Sequence, residues 1–152
     1  MHRRIANNAV ATIEDQAFNS CSLLTTLLLQ NNNITDLPDD PFAGLASLVK
    51  LDLDANHLSS LKGAYFKPMQ ETLEELVLSN NHITEITADT FGSSGWELKK
   101  LRVLQLKHNE IQYVQKFCIQ MCLTAMKWGN TDHLHASSKD STNPPRFALL
   151  TC

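Results

Sequence analysis

A tandem repeat of leucines around one asparagine is the feature that most restricts how this chain of 152 residues can fold. The segment LEELVLSNNHITEI, residues 73–86, has Leu or Ile at 73, 76, 78, 83 and 86, with Asn81 among them. Spacings of three and then two fit neither a long strand nor a regular helix. The same pattern recurs in four units, which begin at Leu24, Leu48, Leu73 and Leu101. Because these starts are 24, 25 and 28 residues apart, the sequence predicts a solenoid of stacked turns.

Two further columns of residues make the repeat more specific. The residue five after each asparagine is aliphatic, namely Ile13, Leu37, Leu61, Ile86 or Val114, and the residue ten after it is Phe18, Phe42, Phe66 or Phe91. With these columns the chain resembles, over about residues 5–117, the typical 24-residue subfamily of leucine-rich repeats. That subfamily occurs mostly in extracellular domains such as those of Toll-like receptors, Slit-like guidance proteins and small leucine-rich proteoglycans. The resemblance implies an α/β leucine-rich repeat solenoid, with a curved parallel β-sheet on the concave side and short helical or irregular convex segments.

The repeat also predicts how the chain is organised. The first unit lacks its beginning, since its second half matches from Asn8 onward but Arg3 stands where a strand leucine is expected. The segment GSSGW, residues 92–96, adds four residues to one repeat, and we expect it on the convex side. We therefore predict a solenoid of about five turns over residues 1–117, with the first turn truncated. Residues 118–152 are predicted to be a degenerate cysteine-containing cap or a disordered tail.

The tail carries three of the four cysteines, Cys118, Cys122 and Cys152. The segment CIQMCLTAMKW resembles the cysteine-rich cap of extracellular repeats of this kind, but its cysteine spacing departs from that pattern and a tail of unrelated origin is the alternative. The polar segment GNTDHLHASSKDSTNPP indicates a loop or disorder. Cys118 and Cys122 followed by His133 and His135 also suggest zinc, but one residue between the histidines suits a Cys2His2 site poorly. We therefore predict no metal and no cofactor.

Composition excludes several classes of function. Thirteen basic against sixteen acidic residues give a net charge of −3 with no basic run, so binding of nucleic acid is not expected. No apolar run approaches the roughly 18 residues of a membrane helix. The opening segment MHRRIANNAVATIED has no apolar region typical of a signal peptide, so a cytoplasmic location is possible alongside the extracellular one.

The repeat predicts which side chains face the concave surface. Residues between the inward-pointing leucines lie on the opposite face of the sheet, because strand side chains alternate. Leu28 and Val77 are apolar at positions predicted to face water, which is typical of a protein-binding surface. A solvated sheet face without a ligand is the alternative. The predicted partner-binding residues are Thr26, Leu28, Gln30, Lys50, Asp52, Asp54, Glu75, Val77, Ser79, Val103, Gln105 and Lys107.

Other polar residues are interpreted as structural or as candidate modification and metal sites. The repeat asparagines are predicted to form a ladder that bonds the backbone where each strand ends; they are Asn8, Asn32, Asn56, Asn81 and Asn109. Asn33 begins the only N-x-[ST] sequon and is a candidate glycosylation site. Asp52 and Asp54 lie two apart, but too few oxygen ligands converge to predict calcium. His57, His82 and His108 are interpreted as exposed histidines separated by whole turns.

No catalytic motif occurs in the sequence, so we predict that the chain is not an enzyme. The favoured hypothesis is a protein–protein interaction module that binds a protein ligand through its concave face. The resemblance implies that it is part of an extracellular or receptor-type glycoprotein. The alternatives are an intracellular leucine-rich repeat scaffold or adaptor, which free thiols at all four cysteines would favour, and a truncated, non-functional fragment.

Overall fold

The computed structural model describes residues 1–87, 89–93 and 96–114. Its main element is a five-stranded parallel sheet in which each strand comes from a successive turn of the chain. The strands are β1 (His2–Arg4), β2 (Thr26–Leu28), β3 (Lys50–Asp52), β4 (Glu75–Val77) and β8 (Val103–Gln105). The order β1-β2-β3-β4-β8 follows the sequence, as a solenoid requires. The predicted leucine-rich repeat solenoid is therefore confirmed.

Equivalent residues of successive repeats lie side by side. Leu27 pairs with Leu51, Leu51 with Leu76, and Leu76 with Leu104, all in parallel register. The next leucine of each repeat continues the pairing, since the main-chain N–H of Leu29 donates to Asp52 O at 2.8 Å and the same bond recurs one turn later. One repeat period thus carries the chain once around the solenoid.

The core fills the space between this sheet and the convex segments. The strand leucines of the central turns are at most 1% exposed, and Phe42 and Phe66 are fully buried. Neighbouring rings of the phenylalanine column are in contact, with centroids 6.4 Å apart for Phe18 and Phe42 and 6.0 Å apart for Phe66 and Phe91. No single turn can enclose these side chains, so each turn depends on its neighbours for burial.

The convex side is built from short, irregular elements. The 3₁₀ helix Gly63–Met69 buries Tyr65, Phe66 and Met69, and the Tyr65 hydroxyl donates to Leu37 O at 3.0 Å. Two small sheets complete the described elements: parallel β5 (Glu85–Ile86) with β9 (Tyr113–Val114), and antiparallel β6 (Gly92–Ser93) with β7 (Trp96–Glu97). Gly92, Ser93 and Trp96 of the predicted insertion belong to the second sheet. Gly63 cannot carry a side chain there, because a Cβ atom would lie 1.7 Å from Asp89 O.

The turn after each strand of the five-stranded sheet contains a residue whose backbone is in the left-handed conformation. Asn7, Asn31, Ala55, Asn80 and His108 have φ between 50° and 58°, and each immediately precedes a ladder asparagine. Such φ values are uncommon outside glycine, although asparagine tolerates them. This sharp bend reverses the alternation of the strand, so the ladder asparagine points into the solenoid. The predicted tail, residues 118–152, lies outside the described residues.

Candidate recognition surface

The concave face consists of three aligned columns that contain all twelve predicted partner-binding residues. The first two columns are paired within the sheet and run Thr26, Lys50, Glu75, Val103 and Leu28, Asp52, Val77, Gln105. The third follows the strand ends and runs Gln30, Asp54, Ser79, Lys107, where Asn31 N–H donates to Asp54 O and Ala55 N–H to Ser79 O. Strand β1 adds His2 and Arg4 to these columns. Sequence analysis missed both, because the repeat pattern is broken at Arg3.

Exposure differs along the columns. Val103 is 41% exposed and Leu28 is half-buried, so both present apolar surface to the concave side. Val77 is only 7% exposed and Ser79 only 6%. The expectation that Val77 faces water is therefore wrong. Its strand β4 is an interior strand, flanked on one side by β3 and on the other by β8.

Charged groups are concentrated in the middle of the face. Lys50 Nζ lies 2.7 Å from Glu75 Oε1, and this pair is about one third exposed. Asp54 Oδ1 accepts a hydrogen bond of 2.8 Å from Asn80 Nδ2, and Asp52 Oδ1 accepts one of 3.1 Å from Asp54 N–H. Desolvation by burial raises the pKa of Asp52 above its ordinary value of 3.8, and the Asp54 N–H and Lys50 only partly oppose that effect. The solenoid thus holds a carboxylate where burial disfavours its charge.

Replacement of this carboxylate is expected to stabilise the chain at neutral pH. The raised folded-state pKa means that Asp52 contributes stability below its unfolded pKa, and this contribution is lost as pH rises through the folded pKa. Asp52→Asn should raise the free energy of unfolding at pH 7 by about 0.5 kcal/mol, a small gain because the group is half-exposed and screened. Urea denaturation at pH 7 and pH 3 measures the difference, which should vanish at the lower pH.

The matched control for this prediction is Asp39→Asn. Lys62 lowers the pKa of Asp39 through a hydrogen bond of 2.8 Å, so the shift has the opposite sign. Replacement of Asp39 should therefore not stabilise the chain at pH 7. Equal stabilisation by both substitutions would show that net charge, and not burial of Asp52, is the cause.

Two polar atoms beside the charged groups have no hydrogen-bond partner among the described residues. They are Gln30 Oε1 and Ser79 Oγ, both shielded from solvent and both in the third concave column. Buried polar groups are normally hydrogen-bonded, so these two atoms could still form hydrogen bonds with a ligand at the edge of the face.

The ladder asparagines bond the backbone of adjacent turns. Asn81 Nδ2 donates to Leu53 O at 3.0 Å in the preceding turn and to Leu78 O at 3.1 Å in its own, while its Oδ1 accepts from Leu58 N–H at 3.0 Å. Asn32, Asn56 and Asn109 make the equivalent bonds. Asn8, in the first turn, donates to the nearby carbonyls of Ile5 and Ala6 and to no other group among the described residues. These contacts lie beneath the surface and fix the spacing of the concave columns.

A separate cluster lies one residue beyond the ladder. His57 and His82 are on neighbouring turns with their rings nearly parallel, 5.5 Å between centroids, and with 3.4 Å between His57 Nδ1 and His82 Nε2. His82 Nδ1 lies 2.7 Å from Glu110 Oε1 on the next turn. His57 and His82 are exposed and lie on different turns, as interpreted, and the structure adds that they are in contact. Separation by one whole turn makes two residues neighbours in a solenoid, and the equal offset from the repeat asparagine is the signal that could have revealed it.

The remaining site candidates are placed as follows. Asn33 is exposed, and Cys21 is a free thiol partly buried against the core. Over residues 1–87, 89–93 and 96–114, no three His, Cys, Asp or Glu residues come together in a way that could hold a metal. In the same part of the chain no helix has the length and apolar character needed to cross a membrane. Cys118, Cys122, His133 and His135 lie outside the described residues.

A parallel sheet of one short strand per turn, an asparagine ladder and a phenylalanine core define the class of leucine-rich repeat solenoids. A family model described as "Leucine rich repeat" matches residues 4–58 and 71–121. The chain belongs to the leucine-rich repeat family.

Its relatives include small leucine-rich proteoglycans. It is 34% identical to keratocan of Gallus gallus over 110 aligned residues. The alignment covers 71% of this chain and 29% of keratocan. It is 28% identical over 110 residues to lumican of Coturnix japonica, covering 71% and 30% respectively. Fibromodulin of Sus scrofa is 30% identical over 105 residues, covering 69% of this chain and 65% of that sequence. The chain thus spans less than one third of the lumican and keratocan relatives.

Among solved structures, the TLR13–ssRNA13 complex matches with a TM-score of 0.69 at 26% identity. The match covers 82% of this chain and 18% of that one. The chain therefore corresponds in fold to a short section of a much longer solenoid.

Proposed function

We propose that this chain is a protein-interaction module that binds a protein ligand on its concave face. The observation that carries the proposal is the composition of that face, which combines exposed Val103 and half-buried Leu28 with the desolvated carboxylate of Asp52. The fold does not require any of these three, because the core leucines and the ladder lie on the other side of the strands. Apolar surface around a charge of one sign suits a protein partner with complementary charge.

The charge distribution favours a cationic group on that partner. Asp52 and Asp54 are adjacent on the face, while Lys50 is already paired with Glu75 at 2.7 Å. A Lys or Arg side chain of a ligand would satisfy Asp52 and relieve the cost of its burial. Buried Gln30 Oε1 and Ser79 Oγ, both unpartnered among the described residues, border this position.

Single-stranded RNA is present in the similar TLR13 structure, so it is the second ligand class to consider. The carboxylates in the middle of the concave face of this chain would repel phosphates, and the net charge is −3. We therefore propose a protein and not a nucleic acid as the ligand.

The proposal is tested by selecting ligands for the full chain from a display library of extracellular protein fragments. Asp52→Lys and Val103→Glu should each weaken binding of the selected ligands by at least about tenfold, because they reverse the charge and place a carboxylate in the apolar part of the face. A single-stranded RNA oligonucleotide, titrated at physiological salt, should not bind measurably.

The control is Leu23→Glu, which places a charge at an aliphatic residue that is 75% exposed and lies outside the sheet. It should leave the affinity unchanged, and circular dichroism should show that all three variants are folded. Ligands that tolerate both concave substitutions but are lost with Leu23→Glu, or tight binding of the RNA, would disprove the proposal.

We also propose that the module is part of an extracellular or receptor-type glycoprotein, with a glycan on Asn33. The support is the similarity to small leucine-rich proteoglycans and the exposure of Asn33 in the sequon Asn33-Ile34-Thr35. Both the parent chain and Asn33→Gln are expressed behind a secretory leader. Enzymatic deglycosylation should then reduce the mass of the parent but leave the mass of Asn33→Gln unchanged. An unchanged mass in both would count against the glycan.

A further inference from the structure

We propose that His57 and His82 form a surface site for a divalent transition-metal ion, with Glu110 as a positioning residue. The three side chains occupy the same position on three consecutive turns, one residue after the ladder asparagine. The ladder bonds and the parallel register set the distance between those turns, so the fold itself brings the two imidazoles together. This site is separate from the concave columns and does not depend on the proposed partner.

The distance between the two ring nitrogens suits one ion. His57 Nδ1 and His82 Nε2 are 3.4 Å apart. Two nitrogens that each lie about 2.0–2.1 Å from a tetrahedral zinc ion are about 3.3–3.4 Å apart. The rings are nearly parallel in the structure, so metal binding requires them to rotate about the soft χ2 torsion until both lone pairs point to the ion, and the exposure of both histidines leaves room for this rotation.

Glu110 is placed to accept a hydrogen bond from the ring nitrogen of His82 that would not bind the metal, an arrangement common for histidine ligands. Its Oε1 lies 2.7 Å from His82 Nδ1. A hydrogen bond from Nδ1–H to this carboxylate leaves the lone pair on Nε2, the nitrogen that faces His57. The same hydrogen bond fixes the orientation of the ring.

The two imidazole ligands determine which metal ions can bind and how many coordination positions remain for water. Neutral imidazoles suit Zn²⁺, Cu²⁺ and Ni²⁺, whereas Mg²⁺ and Ca²⁺ prefer oxygen ligands. Two protein ligands leave two positions of a tetrahedral ion for water.

The experiment is a titration of the full chain with ZnCl2, followed by calorimetry and by ¹⁵N NMR of labelled histidines. We expect zinc to shift His57 Nδ1 and His82 Nε2, and His57→Gln and His82→Gln should each lower the affinity of this site at least about tenfold. Glu110→Gln should weaken binding by about tenfold and, in the metal-free chain, should make the His82 ring populate both tautomers. A purely structural Glu110 would not change the tautomer.

The matched control is His2→Gln, which removes an exposed histidine at the opposite end of the sheet. It should leave the titration unchanged. Any zinc bound by Cys118, Cys122, His133 or His135 is common to all variants and cancels in the comparison. Identical titrations of the parent, His57→Gln and His82→Gln, or zinc shifts confined to other histidines, would overturn the proposal and leave a hydrogen-bonded pair that binds no metal.

Discussion

Phe66→Ala should destabilise the solenoid by about 3–5 kcal/mol. Phe66 is fully buried, and its ring contacts Tyr65 and Phe91 with centroids 6.4 and 6.0 Å away, so removal of the ring leaves a cavity between two turns. Because domains of this size are stable by only about 5–15 kcal/mol, this loss is a large fraction of the total stability. Urea denaturation followed by circular dichroism measures the loss.

Leu23→Ala is the control for cavity formation. It also removes an apolar side chain, but Leu23 is 75% exposed, so the free energy of unfolding should change by no more than about 0.5 kcal/mol. A loss below about 1 kcal/mol for Phe66→Ala would mean that the phenylalanine column is not a shared core, and the stacking account would fail.

Asn81→Leu should cost about 2–3 kcal/mol, although it replaces an amide with an aliphatic side chain in a buried position. The carbonyls of Leu53 and Leu78 retain other amide partners, Asn56 and Asn109 respectively. Leu58 N–H, in contrast, donates only to Asn81 Oδ1 among the described residues and becomes a buried, unpaired donor. The loss is therefore dominated by that single donor, and thermal and urea denaturation should both report it.

Asn8→Leu is the matched control, because the same substitution is made at the same repeat position. Asn8 is exposed and, among the described residues, its amide donates only to the carbonyls of Ile5 and Ala6, so no buried donor is left unpaired. We expect a cost below about 1 kcal/mol. Equal costs at Asn8 and Asn81 would show that the ladder does not act by satisfying donors between turns.

The relation between sequence and structure differs for the core and for the surface. The core could be predicted because each buried position must be apolar or, at Asn32, Asn56 and Asn81, must carry both a donor and an acceptor, and such constraints recur once per turn. The composition of β1 was not predictable in the same way. Arg3 occupies a leucine position of the repeat and is exposed, so the leucine pattern does not reveal this strand.

The properties of the surface could not be predicted from the sequence, because they depend on the side chains of adjacent turns. Val77 was placed correctly in its column, but the repeat pattern does not reveal that it is only 7% exposed. Asp52 is acidic in the sequence, but the rise of its pKa follows from its partial burial and, to a smaller extent, from the nearby Asp54 and Glu75. The contact between His57 and His82 likewise joins residues of different repeats.

The sequence alone determined the leucine-rich repeat solenoid, its parallel register and the twelve concave residues of the four repeats that begin at Leu24, Leu48, Leu73 and Leu101, because a fixed period assigns each residue a place in a turn. The structure added His2 and Arg4 of β1 to those columns. Tertiary structure alone decided which of those residues are exposed, which charges are paired and which histidines meet. The reason is that period is a property of positions along the chain, whereas burial, ion pairing and metal geometry depend on distances between side chains of adjacent turns.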